Sequence, residues 1–149
     1  MAMTIIASAF LALMNAVVIG QQHAYEGDMT MRAVRLGNDL LEEIVSRDYR
    51  DPDGGTTFGP ESDEMARANF DDVDDYNGYS ESAGQLTDST GAKYTGLDQT
   101  FSRSVIVADA DQTLSALSCT IHGRSVTVTV RNQNGAQWQF ARFIPNPAQ

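Results

Sequence analysis

Asp71, Asp72, Asp74 and Asp75 place four carboxylates within five residues, and Asn77 and Gly78 follow closely. Carboxylates this near one another repel unless a proton, a hydrogen-bond donor or a cation intervenes. Hard cations such as Ca²⁺ gather six to eight oxygens, so the run is a candidate calcium site with these four aspartates as ligands. Asp72, Asp74 and Gly78 have part of the spacing of a calcium loop. An EF-hand, however, needs glycine at its sixth position and glutamate at its twelfth. Counted from Asp72 those positions hold Asn77 and Ala83, so this is not an EF-hand. The competing reading is a solvated acidic loop whose aspartates cap turns or meet a partner's arginine. Asp51 and Asp53 can add oxygens, but in "DPDGG" they also read as turn formers.

Other chemistry has little to stand on. His23 and His122 are the only histidines, and neither sits at metal-ligand spacing or in a nucleophile motif. There is no Gly-x-Ser-x-Gly, no P-loop and no cysteine pair. A run of adjacent aspartates is not a pair of acids facing each other across a cleft. The expectation is a protein that is not an enzyme and has no cofactor beyond the Ca²⁺ considered above. The single cysteine, Cys119, lies in the apolar, strand-like "LSALSCTIHG", which predicts a reduced thiol buried in a sheet. Phe101, Trp138, Phe140 and Phe143 fall at strand spacing and read as core. Tyr76 and Tyr79 in the acidic stretch read either as a contact surface or as loop anchors.

The chain has 149 residues, enough for one domain and an appendage, and a formal net charge of −10. Between Asp48 and Asp98 there are 13 acids against three bases, so the whole net charge sits in this middle third. Such a balance excludes nucleic acid as a partner, because phosphate binding needs a basic face. It also excludes electrostatic docking onto anionic lipid.

From Met1 to Gly20 only Thr4, Ser8, Asn15 and Gly20 interrupt an apolar run, and the first acidic or basic side chain is Glu26. As a helix, twenty residues span roughly 30 Å, the thickness of a bilayer core. A secretory signal would carry a basic start and small residues at a cut, and neither is present here. A buried helix of a soluble protein would need a larger core than the remaining chain offers. The pattern continues as an amphipathic helix, with Met29, Ala33, Leu36, Leu40 and Ile44 on one stripe, widened by Val34, Leu41 and Val45. Pro52 and Gly54-Gly55 predict its end near residue 49. Residues 50–98 read as a long acidic loop region. Strands follow in "FSRSVIVAD", "LSALSCTIHG", "RSVTVTVRN" and "AQWQFARFI", with Asn134-Gly135 as a hairpin turn.

The order of long helix, acidic loop and antiparallel sheet resembles the type IV pilin-like family of pilins, minor pilins and pseudopilins. "MAMTIIASAFLAL" is similar to the stretch that follows the family's usual Gly-Phe-Thr-Leu-Ile-Glu opening. The resemblance implies a basic leader and first mature residues upstream of Met1. The processing glycine is missing, and position 5, where the family's glutamate would pair with a neighbour's amine, holds Ile5. "LLEEIVSRDYRDPD" and "RANFDDVDDYNGY" resemble the minor pilins of mannose-sensitive haemagglutinin pili. Some members of the family hold calcium in loops.

The expected fold is therefore α+β and pilin-like. Residues 1–25 form an apolar half-helix for membrane or filament core, and residues 26–149 a globular domain. Within that domain the expected parts are an amphipathic helix over 26–49, the acidic region over 50–98 and a sheet of three to five antiparallel strands over 99–145. Ile5, Ile6, Phe10, Leu11, Leu13, Met14, Val17 and Val18 are the expected packing residues. The implied function is a structural subunit of a pilus or secretion pseudopilus. The implied partners are the bacterial inner membrane and then other pilin-like subunits. The alternatives are a single-span, membrane-anchored periplasmic binding module and a secreted calcium-dependent adhesin.

Overall fold

The computed structural model describes residues 2–55 and 57–147, without the side chains of 2–5, 7–9 and 117. The chain divides into two units, Met1–Arg32 and Ala33–Gln149, and one helix, α1 (Ala2–Val45), contributes to both.

In the first unit the large apolar side chains described from Ile6 to Ile19 are uncovered, whereas Met29 of the expected stripe is buried. Ile6, Phe10, Leu11, Leu13, Met14, Val17, Val18 and Ile19 are each between 48% and 69% exposed. Polar side chains take over beyond Gly20, with an Arg32–Asp28 ion pair of 2.8 Å one turn apart. Among the described residues no helix is long and apolar enough to cross a membrane. The apolar opening includes Met1, which lies outside the described residues, and positions 2–5 and 7–9, whose side chains do.

In the second unit α1 buries Ala33, Leu36, Leu40, Leu41 and Ile44, the expected stripe. Val34 stays exposed and Val45 half-buried. Gly37 lies directly under the Phe140 ring, where a Cβ would collide with it. That contact explains a residue that costs a helix interior about 1 kcal/mol relative to alanine. The helix stops at Val45, earlier than residue 49. Ser46 and Arg47 turn back onto the Glu42, Glu43 and Ile44 carbonyls, and Asp48 then pairs with the chain at 71–73. The Asp48 N–H donates to Asp71 O (3.3 Å) and the Val73 N–H to Asp48 O (3.0 Å). A tertiary pairing therefore ends the helix before Pro52 does.

Four antiparallel strands, β1 (Ser80–Glu81), β2 (Phe101–Leu114), β3 (Cys119–Asn132) and β4 (Gln137–Pro145), lie in the order β1-β2-β3-β4. Alternation puts Phe101, Arg103, Val105 and Val107 of β2 beside Val126, Val128 and Val130 of β3, all on one buried face. The β3–β4 turn uses Asn134-Gly135 as expected, with Gly135 at φ 84° and the Asn132 side chain accepting the Ala136 N–H at 3.0 Å. β1 falls inside the stretch read as loop, so the sheet begins at residue 80 rather than 99.

Two expectations about the sheet need correction. Cys119 is exposed, not buried. β4 pairs with β3 only over Gly123–Arg131, so the Cys119 end of the β2–β3 hairpin runs past the third strand. Phe101 is fully buried, but Trp138, Phe140 and Phe143 are half-buried because β4 is the edge strand.

Candidate functional site

The acidic stretch is not a free loop. Arg67, in a 3₁₀ turn, donates to Glu43 of α1 (2.8 Å), to Glu81 of β1 (3.1 Å) and to the Thr87 carbonyl (3.0 Å). Arg103, fully buried on β2, donates to the other oxygen of Glu81 (2.7 Å), to the Leu36 carbonyl of α1 (3.2 Å) and to the Thr87 carbonyl (2.6 Å). Glu81 thus sits between two arginines, and helix, sheet and acidic stretch share one buried network. Tyr76 is fully buried and donates to Glu43 (2.8 Å), so it anchors the chain and does not form a contact surface. Its ring packs edge-on against Phe70 (5.0 Å) and Tyr79 (6.1 Å). Burial pushes the Glu43 carboxyl up. The Arg67 and Tyr76 hydrogen bonds, with the Arg67 charge, outweigh burial and hold it below the usual range.

The four adjacent aspartates separate into two pairs. Asp72 and Asp74 turn toward Arg124 of β3, which lies over the Tyr49 ring (4.7 Å) and the Phe58 ring (5.6 Å). Asp72 also caps the following turn, accepting the Asp74 N–H (2.7 Å) and the Asp75 N–H (3.3 Å). Asp74 accepts the Gly59 N–H (3.1 Å). Burial, with Asp74 close by, raises the Asp72 carboxyl to about 7. Asp75 turns the other way. Its Oδ2 accepts the N–H groups of Asp71 (2.9 Å) and Asp72 (3.0 Å).

Asp71 lines a cleft of about 560 Å³ together with Asp51, Asp53, Glu61, Asp63 and Glu64. Among the described residues no lysine, arginine or histidine lines it. Glu61, Glu64 and Asp75 each offer a carboxylate oxygen, and the three oxygens lie within 4.8 Å of one another. Glu64 and Asp75 are buried. Glu61 Oε1 and Asp71 Oδ1 are closed to solvent and accept no hydrogen bond. Burial lifts the Glu64 carboxyl to about 7. The Glu61 N–H opposes that rise, and the Glu61 and Asp75 carboxyls add to it. Burial, with Asp51 and Asp75, raises Asp71 as well.

Sequence reading missed Glu61, Glu64, Arg67, Arg103 and Arg124. Two of these carry a legible signal. Arg103 is in phase with Phe101, Val105 and Val107, and Arg124 with Val126, Val128 and Val130. A cation on the apolar face of a strand requires a buried anion, and the acidic stretch supplies it.

The expected packing residues Ile6, Phe10, Leu11, Leu13, Met14, Val17 and Val18 all lie exposed on the first half of α1, while the Ile5 side chain falls outside the described residues. Comparison with protein-family models, curated proteins and solved structures gives no match.

Proposed function

We propose that this chain is a structural, non-enzymatic subunit of a type IV pilus or a type II secretion-like pseudopilus, of the minor-subunit kind. The observation that carries the reading is the exposed first half of α1. Eight large apolar side chains from Ile6 to Ile19 stand uncovered on one uninterrupted helix. Roughly half of each is still exposed, so left in water they forgo about 0.75–1.5 kcal/mol each, or about 6–12 kcal/mol together. A monomer in water does not recover that energy, but lipid or neighbouring helices do. Lipid tails and packed apolar helices are nearly equivalent surroundings, so the same surface can leave the inner membrane and enter a filament core at modest cost. The α+β arrangement supports the reading, since the Ala33–Val45 part of the helix is already covered by its own sheet. The domain would face the periplasm before assembly and the outside afterwards. A net charge of −10 leaves nucleic acid out of the partner list.

Cell fractionation tests this reading. The chain should appear both in inner membranes and in filaments sheared from the cell or overproduced in the periplasm. Recovery from membranes alone, in cells that make filaments, would favour the single-span binding module. Recovery as a free monomer in the aqueous fraction would remove both readings.

A further inference from the structure

We propose that the Ala33–Gln149 unit docks a second copy of this chain edge to edge, β4 of one copy pairing in parallel with the open part of β2 of the next. The pairing concerns this unit alone and does not rest on the filament reading. The sheet has two open edges. β1 covers β2 only at Arg103 and Ser104, and the chain before β1 reaches no further than Val107, whose N–H donates to Asn77 Oδ1 (3.2 Å). From Ala108 to Leu114, β2 has no neighbour on that side among the described residues. β4 has β3 on one side and no described strand on the other. Open edges are templates for pairing, and proteins blunt them with lysine, internal proline or bulges. Neither edge carries a lysine or an internal proline, and both keep an unbroken register with β3.

Backbone phase decides the direction. The Val105 N–H donates to Tyr79 O (2.9 Å) and the Gly78 N–H to Val105 O (3.2 Å), so the odd residues of β2 aim away from β3. The Asn132 N–H donates to Ala136 O (3.0 Å) and the Asn146 N–H to His122 O (2.9 Å). The even residues of β4 therefore bond to β3, and the odd ones aim outward. Side chains of odd β2 and even β4 share the face that packs on α1, where Val105 and Val107 are buried, Phe140 meets Gly37 and Arg142 meets Glu42. Parallel pairing sets odd β2 beside even β4, so both copies keep this part of α1 on one side of the joined sheet. Antiparallel pairing sets odd beside odd and puts the two helices on opposite sides.

One register also matches charge. With Asp111 beside Arg142, the Asp109, Asp111 and Thr113 N–H groups reach the Gln139, Ala141 and Phe143 carbonyls. The Ala141 and Phe143 N–H groups return to Asp109 and Asp111. Pro145, without an N–H, closes the register. Arg142 is 47% exposed beside Glu42, and Asp111 is 63% exposed beside His122, so both charges can serve a neighbour. Beyond Asp111 the chain holds three arginines and no acid, so β4 brings a positive edge to a protein of net charge −10. The two edges are different surfaces, so the contact is heterologous and open-ended.

The test uses the full chain in detergent micelles, which cover the apolar half of α1, in a Cys119→Ser background and over a concentration series. Copies with Thr113→Cys are mixed with copies with Ile144→Cys, which the register sets side by side, and oxidised mildly. β3 stands between these positions within one chain, about 10 Å of sheet, too far for an internal disulfide. The mixture should give a disulfide-linked dimer, either variant alone far less, and a chain with both substitutions a ladder. Ala141→Pro removes an outward N–H and no bond to β3, so it should abolish the cross-link and leave the melting temperature nearly unchanged. If that variant does not fold, Arg142→Glu should weaken the cross-link and Asp111→Arg in the other copy should restore it. No cross-link at any concentration would overturn the proposal. So would equal yield from either variant alone, a ladder that survives Ala141→Pro, or a charge swap that restores nothing. None of these failures would touch the filament reading, which rests on the helix that the detergent covers.

Discussion

Replacing Arg103 by methionine removes the central cation of the buried network while keeping a side chain of similar length. Arg103 makes three kinds of contact at once, to Glu81, to the Leu36 carbonyl and to the Thr87 carbonyl. Its side chain has no exposed surface, and Glu81 is nearly as deep. Breaking a buried pair from one side costs about 3–5 kcal/mol, mainly because the remaining charge keeps its desolvation penalty and loses its partner. Arg67 still reaches Glu81 at 3.1 Å, which places the expected loss at the lower end, about 3 kcal/mol. For a unit the size of Ala33–Gln149, 1 kcal/mol shifts the melting temperature by about 4 °C, so the drop should be about 12 °C. Calorimetry of the full chain in detergent reads it. The double variant Arg103→Met, Glu81→Gln should lose less than the two single losses added together, because no orphaned charge remains. Arg142→Met serves as the control. Its 3.4 Å pair with Glu42 is half exposed, and such pairs contribute about 0–1 kcal/mol. If Arg103→Met cost no more than Arg142→Met, the network would not be holding the acidic stretch to the helix and sheet.

Three further outcomes are expected. Gly37→Ala should destabilise the domain by about 1–3 kcal/mol despite alanine's better helix propensity, because its methyl meets the Phe140 ring; Phe140→Leu should recover part of the loss in chemical denaturation. Cys119 should be labelled by a maleimide in the native state without prior unfolding, since it is exposed; labelling only on unfolding would mean the hairpin end is covered. Glu43 has a folded-state pKa below its usual 4.5, so it stabilises the fold above that pH and stops doing so as pH falls through the lowered value. Glu43→Gln should therefore flatten the part of the acid unfolding curve that lies below about pH 4.5.

The elements with a repeating pattern were legible in the sequence. The Ala33–Ile44 stripe announces a helix face, and the Thr-Val alternation from Val126 to Val130 announces a half-buried strand, because 3.6 and 2 are local periods. Asn134-Gly135 is equally local. The acidic stretch was not legible, because its order comes from contacts far apart in sequence. Glu43, Arg67, Glu81 and Arg103 meet across the fold, and no window of neighbouring residues contains them all. The aspartate run shows the same limit. Local spacing groups Asp71, Asp72, Asp74 and Asp75 together, while the structure splits them between Arg124 on β3 and the Glu61–Glu64 turn. The length of a strand beyond its neighbour, which exposes Cys119, depends on where β4 ends and leaves no trace in the sequence around the cysteine.

The central claim is that the exposed half of α1 is a helix-packing surface within a filament. A photo-reactive benzophenone side chain placed at Phe10, which is 61% exposed, tests it directly. Irradiated filaments should yield covalent adducts whose peptides come from the apolar N-terminal helices of neighbouring pilin-like subunits. In the same chain, Leu13→Asp should abolish those adducts, since a charge within an apolar span costs about 2.5–3.5 kcal/mol. Adducts confined to lipid in filament-producing cells, or adducts that persist with Leu13→Asp, would contradict the claim.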